Sequence, residues 1–513
     1  MGDHLLSRRE FAGLSTAGLA GGMLAWTALV EGQGAAEPWD PDRPRVVTGQ
    51  PLRVQPVLMH TTYERRESAS WRSWSKINNP QAAAEEAQRI GGELASLVQG
   101  ADFPIQLLPL ARVTSAEQAR GVHQGDYDVV LLYPATGSGS LLAACFPPKP
   151  DRDVVIFARH RAGPTYYWYE ALSTRYLKTG TEQELAENDA RHHGGPTIRD
   201  VVIDDYGEVA WRLRALYGLK NFLGQRIVAL GGAWGKYDPK APAVAREKYG
   251  LKILDVGYDD LKRRFEKVRA DAQAVSQAEQ WTERYLAQPG TTLATQKQFV
   301  VNAFLLYRIF KDWIGQHAAP AFTIANCMSG ILPIAGTTPC LPLSWLNDEG
   351  LMAFCESDFV VIPAGILLHY VSGKPVFLHN STFPHRGVVT CAHCSAPRRM
   401  DGKKYEPAAI LTHYESDSGA APKVEMTVGQ QVTFLDPEYA SGRWLGFTGI
   451  IRANPMLEIC RTQQDVEIQG DWKRLLGEVR DSHWMMAYGN YLQEIGYAAR
   501  KIGLRWVDLS ESC

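Results

Sequence analysis

Short apolar runs alternate with amphipathic stretches along the first part of the chain. The apolar runs predict strands, and they lie at residues 54–59, 105–109, 129–133 and 154–160. Between the first two of them, residues 81–98 repeat apolar side chains at helical spacing. The same order returns later, with predicted strands at residues 226–230 and 252–256 around a predicted helix at 241–249. Strands that alternate with helices are typical of parallel sheets, so the pattern predicts two α/β lobes in succession.

The pattern changes near residue 385. Long helical periodicity precedes this point, at residues 261–288 and 295–316. Short, partly alternating segments separated by Gly, Pro or Asp follow it, at residues 408–415, 423–428, 431–435, 446–452 and 466–469. Such segments favour a small antiparallel barrel or sandwich. The predicted domains are an N-terminal lobe over residues 45–200, a second α/β lobe over 201–384 and a β-rich domain over 385–513.

The N-terminus has the pattern of a twin-arginine signal. The sequence Ser-Arg-Arg-Glu-Phe at residues 7–11 precedes a Gly- and Ala-rich apolar stretch at residues 12–25. A short membrane anchor is the alternative, but the stretch falls short of the roughly 20 strongly apolar residues that a spanning helix needs. We expect a signal peptide over residues 1–36 and export by the twin-arginine route to the periplasm or the extracellular space.

Composition narrows the class of partner. The 513 residues are 45% hydrophobic and 21% charged, which is ordinary for a globular protein and excludes a disordered chain. Lys and Arg number 54 against 56 Asp and Glu, so the net charge of −2 argues against a nucleic-acid partner. The 14 Trp and 21 Tyr suit a core or stacking on the apolar faces of sugars. Trp234 and Trp484 are the candidate sugar-binding residues.

The cysteines do not suggest a disulfide scaffold. A chain of this length can bury a large core, so its 8 cysteines are not needed to hold the fold together. In an oxidising compartment, Cys391 and Cys394 could close a local disulfide or remain thiols.

Residues 231–237, Gly-Gly-Ala-Trp-Gly-Lys-Tyr, resemble a phosphate-binding loop between a predicted strand and a predicted helix. The segment is one residue short of that motif and has Tyr237 where a Mg²⁺-binding Ser or Thr should stand. A ligand-facing loop is the better interpretation, because open parallel sheets bind ligands at the carboxyl ends of their strands.

Candidate chemistry gathers where the two patterns meet. Glu356 and Asp358 precede an apolar, partly helical stretch at residues 359–371, so the simplest interpretation is helix capping. Other polar side chains stand at the ends of later predicted strands, namely Asn380, His393 and His483. Carboxylate, amide and imidazole groups from separate elements can converge on a divalent metal. Spacing alone does not decide between helix capping and a metal site.

The order of motifs resembles the L-fucose and L-arabinose isomerase superfamily. It is most similar to the divergent branch with a fucose-isomerase-type C-terminal domain. The resemblance covers roughly residues 330–513, and the motifs that carry it are residues 339–343, 346–350, 355–358, 372–375, 392–397 and 412–415 with Gly419, Ser482-His483 and Tyr488-Gly489.

The resemblance implies two Rossmann-like lobes followed by a β-rich, barrel-like domain, a homo-oligomer and a bound divalent metal, Mn²⁺ or a similar ion. It implies that Glu356 binds the metal and accepts the substrate proton, and that His483 and His393 are further ligands. Asn380 stands where the isomerases have a second acidic ligand, and an amide cannot exchange a proton as a carboxylate does. The return proton then falls to Glu356, water or Asp358.

The expected function is a metal-dependent aldose–ketose isomerisation of a sugar or modified sugar. Two alternatives remain open. The same metal and Glu356 could serve a carbohydrate lyase or hydrolase, because proton abstraction beside a carbonyl is shared chemistry. A site that has lost one carboxylate could instead belong to a non-catalytic, exported sugar-binding protein.

Overall fold

The computed structural model describes residues 39–73, 75–166, 177, 195–438 and 442–510. The predicted signal peptide lies outside these ranges. Within them the chain forms two compact units, the first from residues 50–220 and 497–505, and the second from residues 39–49, 221–496 and 506–510. Among the described helices, none combines the length and apolar character needed to cross a lipid bilayer.

The first unit contains a parallel sheet with helices between its strands. Its elements are β1 (Leu52–Met59), α1 (Pro80–Gly100), β2 (Ile105–Leu107), β3 (Ala111–Val113), α2 (Ala116–Val122), β4 (Val129–Pro134), α3 (Gly139–Ala144), β5 (Asp153–Ala158), β6 (Val201–Ile203) and α4 (Tyr206–Phe222). The strand order is β2-β1-β4-β5-β6, and β3 also pairs with β1. All six residues of β4 are buried, as expected for a central strand covered on both faces.

The second unit contains another parallel sheet. Its elements up to the end of that sheet are β7 (Arg226–Leu230), α5 (Ala241–Glu247), β8 (Lys252–Val256), α6 (Tyr258–Ala270), α7 (Ala272–Leu286), β9 (Thr291–Leu293), α8 (Lys297–His317), β10 (Ala321–Ile324), α9 (Leu332–Ala335), α10 (Cys340–Asp348) and β11 (Met352–Phe354). The strand order is β11-β10-β7-β8, and every pairing is parallel. The order reverses between β7 and β10, which makes the carboxyl ends of these strands the expected ligand crevice.

The rest of the chain is dominated by antiparallel strands. Its elements are α11 (Ile362–Ser372), β12 (Phe377–Ser381), β13 (Val388–His393), β14 (Ala408–His413), β15 (Ser418–Val424), β16 (Gln431–Glu438), β17 (Arg443–Ala453), β18 (Thr462–Gln469), α12 (Trp472–Glu478), β19 (His483–Tyr488), α13 (Leu492–Lys501) and β20 (Arg505–Asp508). Six of these strands close into a barrel in the order β16-β19-β12-β13-β18-β17, because β17 pairs back onto β16. The predicted fold class, two α/β lobes and a barrel-like C-terminal region, is confirmed.

Aromatic side chains fill part of the barrel. Phe434 and Phe447 stack with ring centroids 4.6 Å apart, and the Trp484 ring meets Phe447 edge-on at 5.4 Å. Successive side chains of a strand point to opposite faces. Trp484 therefore packs with the core, at 1% exposure, and His483 beside it on β19 is directed to the other face.

Helix α11 is buried along its whole length, and it contains His369. Burial, together with the nearby Arg45 charge, lowers the pKa of His369 to about 3. The folded protein thus prefers the neutral imidazole, so this contribution to stability is complete above the unfolded pKa of about 6.5 and is lost as the pH falls from there toward 3.

We expect His369→Gln to make the protein less sensitive to acid. Between pH 7 and pH 5, the free energy of unfolding of the wild type should fall by about 2 kcal/mol through this residue alone, and the variant should not lose that part. Urea unfolding at the two pH values measures the difference. His385→Gln, in an exposed loop, is the control. An equal loss in wild type and His369→Gln would show that the buried imidazole does not cause it.

Candidate functional site

The candidate site lies at the carboxyl ends of the strands in the second parallel sheet. Strand β11 ends at Phe354, and Glu356 and Asp358 follow directly. Strand β7 ends at Leu230, and the loop that carries Lys236 follows it. On the barrel side, His393 ends β13 and His483 begins β19. All these side chains belong to the same unit.

The backbone at Glu356 is strained. Glu356 and Ser357 have φ angles of 63° and 50°, a left-handed conformation that costs an L residue roughly 1–2 kcal/mol. Bonds to the neighbouring loop offset this cost: the Ser357 hydroxyl donates to the Gly232 carbonyl at 2.7 Å, and the Phe359 amide donates to the Trp234 carbonyl at 2.9 Å. Strain held in this way is typical of functional sites, where it orients a reactive side chain.

Two histidines face the carboxylate of Glu356. His483 Nε2 lies 3.3 Å from Oε2, and His393 Nε2 lies 3.5 Å from Oε1. Burial raises the pKa of Glu356, but the hydrogen bonds and charges of His393 and His483 outweigh burial and hold that pKa well below its usual range. Glu356 is therefore ionised, which is the form that binds a cation or accepts a proton.

The Nδ1 atom of each imidazole ring also has a polar partner. Asp358 Oδ2 lies 2.7 Å from His483 Nδ1, and the Ser395 hydroxyl lies 3.2 Å from His393 Nδ1. A carboxylate behind an imidazole fixes its tautomer and directs Nε2 forward, the usual arrangement for metal-binding histidines. Burial lowers the pKa of His483, but the hydrogen bond to Asp358 and the negative charge of Glu356 outweigh burial and raise that pKa.

Asp358 does not reach the space in front of Glu356. Its side chain is fully buried, and its Oδ1 accepts hydrogen bonds from the amides of Lys236 at 3.0 Å and Val360 at 3.1 Å. With Oδ2 bound to His483, both oxygens are engaged. The sequence predicted a catalytic role for Asp358, and in the structure its carboxylate contacts His483 Nδ1 and two backbone amides.

Asn380 lies beside His483 on the barrel wall. The two residues are directly opposite each other in the antiparallel pairing of β12 and β19, so their side chains lie on the same face. Asn380 is half-buried. A neutral amide oxygen at this position suits a divalent cation.

The donor set fits a divalent metal in chemistry and in orientation. Charge-assisted N–H···O bonds are usually about 2.7–2.9 Å long, and the separations of 3.3 and 3.5 Å exceed this. They are close to the roughly 3.0–3.4 Å between ligand atoms that each lie about 2.1 Å from one ion. Within the described ranges, however, no three His, Cys, Asp or Glu side chains form a ready-made metal centre.

Lys236 was not identified from the sequence, and it is the cation in this cluster. Its Nζ lies 2.9 Å from His483 Nε2 and 3.7 Å from Glu356 Oε2. The sequence signal for Lys236 was its place in the loop after β7. This loop was predicted to face a ligand, but the lysine itself was given no role. Gly231 and Gly232 form the start of this loop with φ angles of 82° and 90°, which glycine adopts readily.

Two exposed aromatic side chains lie next to the cluster. Trp234 is 42% exposed, and its indole N–H donates to the Glu356 carbonyl. Tyr237 is 49% exposed, and its hydroxyl bonds the Ser482 hydroxyl. The predicted sugar-binding residue Trp234 is thus at the cluster, whereas Trp484 packs inside the barrel.

The described cysteines are free thiols. Cys394 lies with Cys340 and Cys460 in a small buried group. These three cysteines pack together, although Cys391 is the cysteine nearest to Cys394 in sequence.

Fold and site together define an α/β protein with a closed β-barrel and a carboxylate–histidine cluster at the ends of parallel strands. Comparison of the sequence with protein-family models and with curated proteins finds no match.

Proposed function

We propose that the protein is a divalent-metal-dependent sugar isomerase that interconverts an aldose and a ketose. The observation that carries this proposal is the convergence of His393 and His483 on the carboxylate of Glu356, with both Nε2 atoms directed forward. The resemblance to the L-fucose and L-arabinose isomerase superfamily supports it. Glu356 and His483 are 127 residues apart in sequence, and only the fold brings them within 3.3 Å.

Glu356, His393 and His483 would hold the metal, with Asn380 as a neutral fourth donor. The bound ion would supply positive charge over two adjacent oxygens of the sugar. Mn²⁺ or a similar ion accepts this mixture of oxygen and nitrogen ligands.

The residues of the chain have separate tasks in the reaction. Aldose–ketose conversion moves a proton between adjacent carbons through an enediol, so it needs a base beside C2. Glu356 is that base, because its carboxylate is one-third exposed and faces the two histidines at the open side of the cluster. Asp358 keeps Nδ1 of His483 engaged. Trp234 and Tyr237 offer aromatic faces on which an apolar face of a sugar can stack.

Trp234→Ala should weaken substrate binding more than chemistry. Loss of the stacking face should raise KM about fivefold to tenfold while kcat changes less. Trp234→Phe is the matched control, because it keeps an aromatic face and loses only the N–H that binds the Glu356 carbonyl. Steady-state kinetics on the best sugar measures both. A fall in kcat alone, equal in the two variants, would assign Trp234 to loop positioning and not to stacking.

The proposal is tested by metal analysis of the purified protein, followed by a panel of aldoses and ketoses assayed with Mn²⁺ in deuterated water. The expected result is isomerised sugar with deuterium at C1 of a ketose product or at C2 of an aldose product, and no group lost. Loss of water or of a substituent would instead identify a lyase or hydrolase. Sugar binding without any product would identify a binding protein.

The proposal also covers the compartment in which the reaction takes place and the assembly of the protein. The twin-arginine pattern at residues 7–11 supports export, so the carbohydrate is a small molecule met outside the cytoplasm. The superfamily resemblance supports a homo-oligomer.

A further inference from the structure

Lys236 contacts the same two atoms that the proposed metal would use. Its Nζ is 2.9 Å from His483 Nε2 and 3.7 Å from Glu356 Oε2. The side chain is 27% exposed, so the ammonium is partly shielded from water. A tethered positive charge therefore already balances the carboxylate.

Hydrogen bonds hold the backbone at Lys236, whereas its side chain is a flexible four-carbon stem. The Lys236 amide donates to Asp358 Oδ1 at 3.0 Å, and the preceding Trp234 is bonded through its amide and its carbonyl to Ser357 and Phe359. The ammonium, in contrast, stands at the end of four methylene groups. It can leave the cluster by side-chain rotation without any change in the loop.

The contact with His483 requires an acceptor at Nε2. A lysine ammonium has donors only, so Nε2 must present its lone pair, and Nδ1–H then donates to Asp358. A divalent ion would bind through the same lone pair. The two cations also repel each other strongly at such short range. Lys236 and a metal cannot occupy the cluster together in this arrangement.

We propose that Lys236 is an internal cation that competes with the divalent metal for His483 and Glu356, and withdraws when the metal binds. This inference rests on the proposed function, because it assumes the metal site. Lys236 then has a regulatory role at that site. Cations that bind weakly do not displace the Lys236 ammonium, and a divalent ion that binds strongly does displace it.

The test is a Mn²⁺ titration of the metal-free, full-length protein, with free Mn²⁺ followed by electron paramagnetic resonance. Lys236→Met keeps the length of the side chain and removes its charge, so it should bind Mn²⁺ at least about tenfold more tightly than the wild type. Lys236→Arg, which keeps the charge, should not gain affinity. Lys240→Met removes an exposed charge from the same loop and controls for the general effect of charge.

Failure of this inference differs from failure of the proposed function. If Glu356→Gln abolishes Mn²⁺ binding but Lys236→Met binds no more tightly than the wild type, the metal site stands and the competition is wrong. If Mn²⁺ binds none of the proteins, or binds equally with and without Glu356, the metal site itself is wrong and the inference falls with it.

A second measurement uses the wild type alone and does not depend on a folded variant. Reductive methylation followed by mass spectrometry reports how reactive each lysine amine is. Saturating Mn²⁺ should increase the labelling of Lys236 severalfold and leave Lys240 unchanged. Equal labelling of Lys236 with and without Mn²⁺ would overturn the proposal.

Discussion

Glu356→Gln should lower kcat of the proposed isomerisation about 10²- to 10⁴-fold, the range expected for loss of a positioned base. The amide keeps the size of the side chain but neither accepts the substrate proton nor carries the charge that His393 and His483 face. Mn²⁺ affinity should fall as well, because one anionic ligand is lost. Steady-state kinetics and Mn²⁺ titration measure the two effects.

The control for this change is Glu279→Gln, which alters an exposed glutamate of helix α7. It should leave both quantities unchanged. Thermal unfolding of each variant separates loss of function from loss of fold. Turnover of the true sugar by Glu356→Gln at the wild-type rate would remove Glu356 as the base.

Asp358→Asn should have the second largest effect, although Asp358 does not reach the open side of the cluster. Asp358 accepts the Nδ1–H of His483 at 2.7 Å and so leaves Nε2 free to bind. The amide can donate to Nδ1 instead, which moves the imidazole proton to Nε2 and blocks the proposed ligand atom. Second-sphere changes of this kind usually cost about 10- to 100-fold in metal affinity or activity.

Asp348→Asn is the matched control for this change. Asp348 is also a buried aspartate that accepts backbone hydrogen bonds, from the amides of Arg398 and Arg399, and it lies outside the cluster. Its substitution should leave Mn²⁺ affinity near the wild-type value. Wild-type affinity in Asp358→Asn as well would mean that Asp358 does not orient His483 for metal binding.

Most strands of the two parallel sheets could be predicted from the chain, because buried parallel strands are short, continuous apolar runs. Residues 129–133 and 226–230 are examples, and they correspond to β4 and β7. The barrel was less certain, because partial alternation is equally compatible with a sandwich. The barrel closes because β16 pairs with β17, and these are the first and last of its six strands.

The site could be predicted in part. The polar residues Glu356, His393 and His483 each stand at the end of a predicted element, so the sequence identified them as candidates. The sequence could not predict that Asp358 contacts His483, because Glu356 and Asp358 both precede the same apolar stretch. Lys236 was missed because a single lysine in a glycine-rich loop has no distinctive spacing, and its role depends on the distance to His483.

The sequence by itself determined the alternation of strands and helices, the change to β-structure near residue 385 and the residue types at the ends of the strands. These follow from local periodicity and turn residues, which act over a few positions. The tertiary structure decided that two imidazoles and an ammonium, each from a different part of the chain, lie within 4 Å of the Glu356 carboxylate. Contacts over such distances in sequence depend on how sheet and barrel pack within the unit, and no local pattern records that packing.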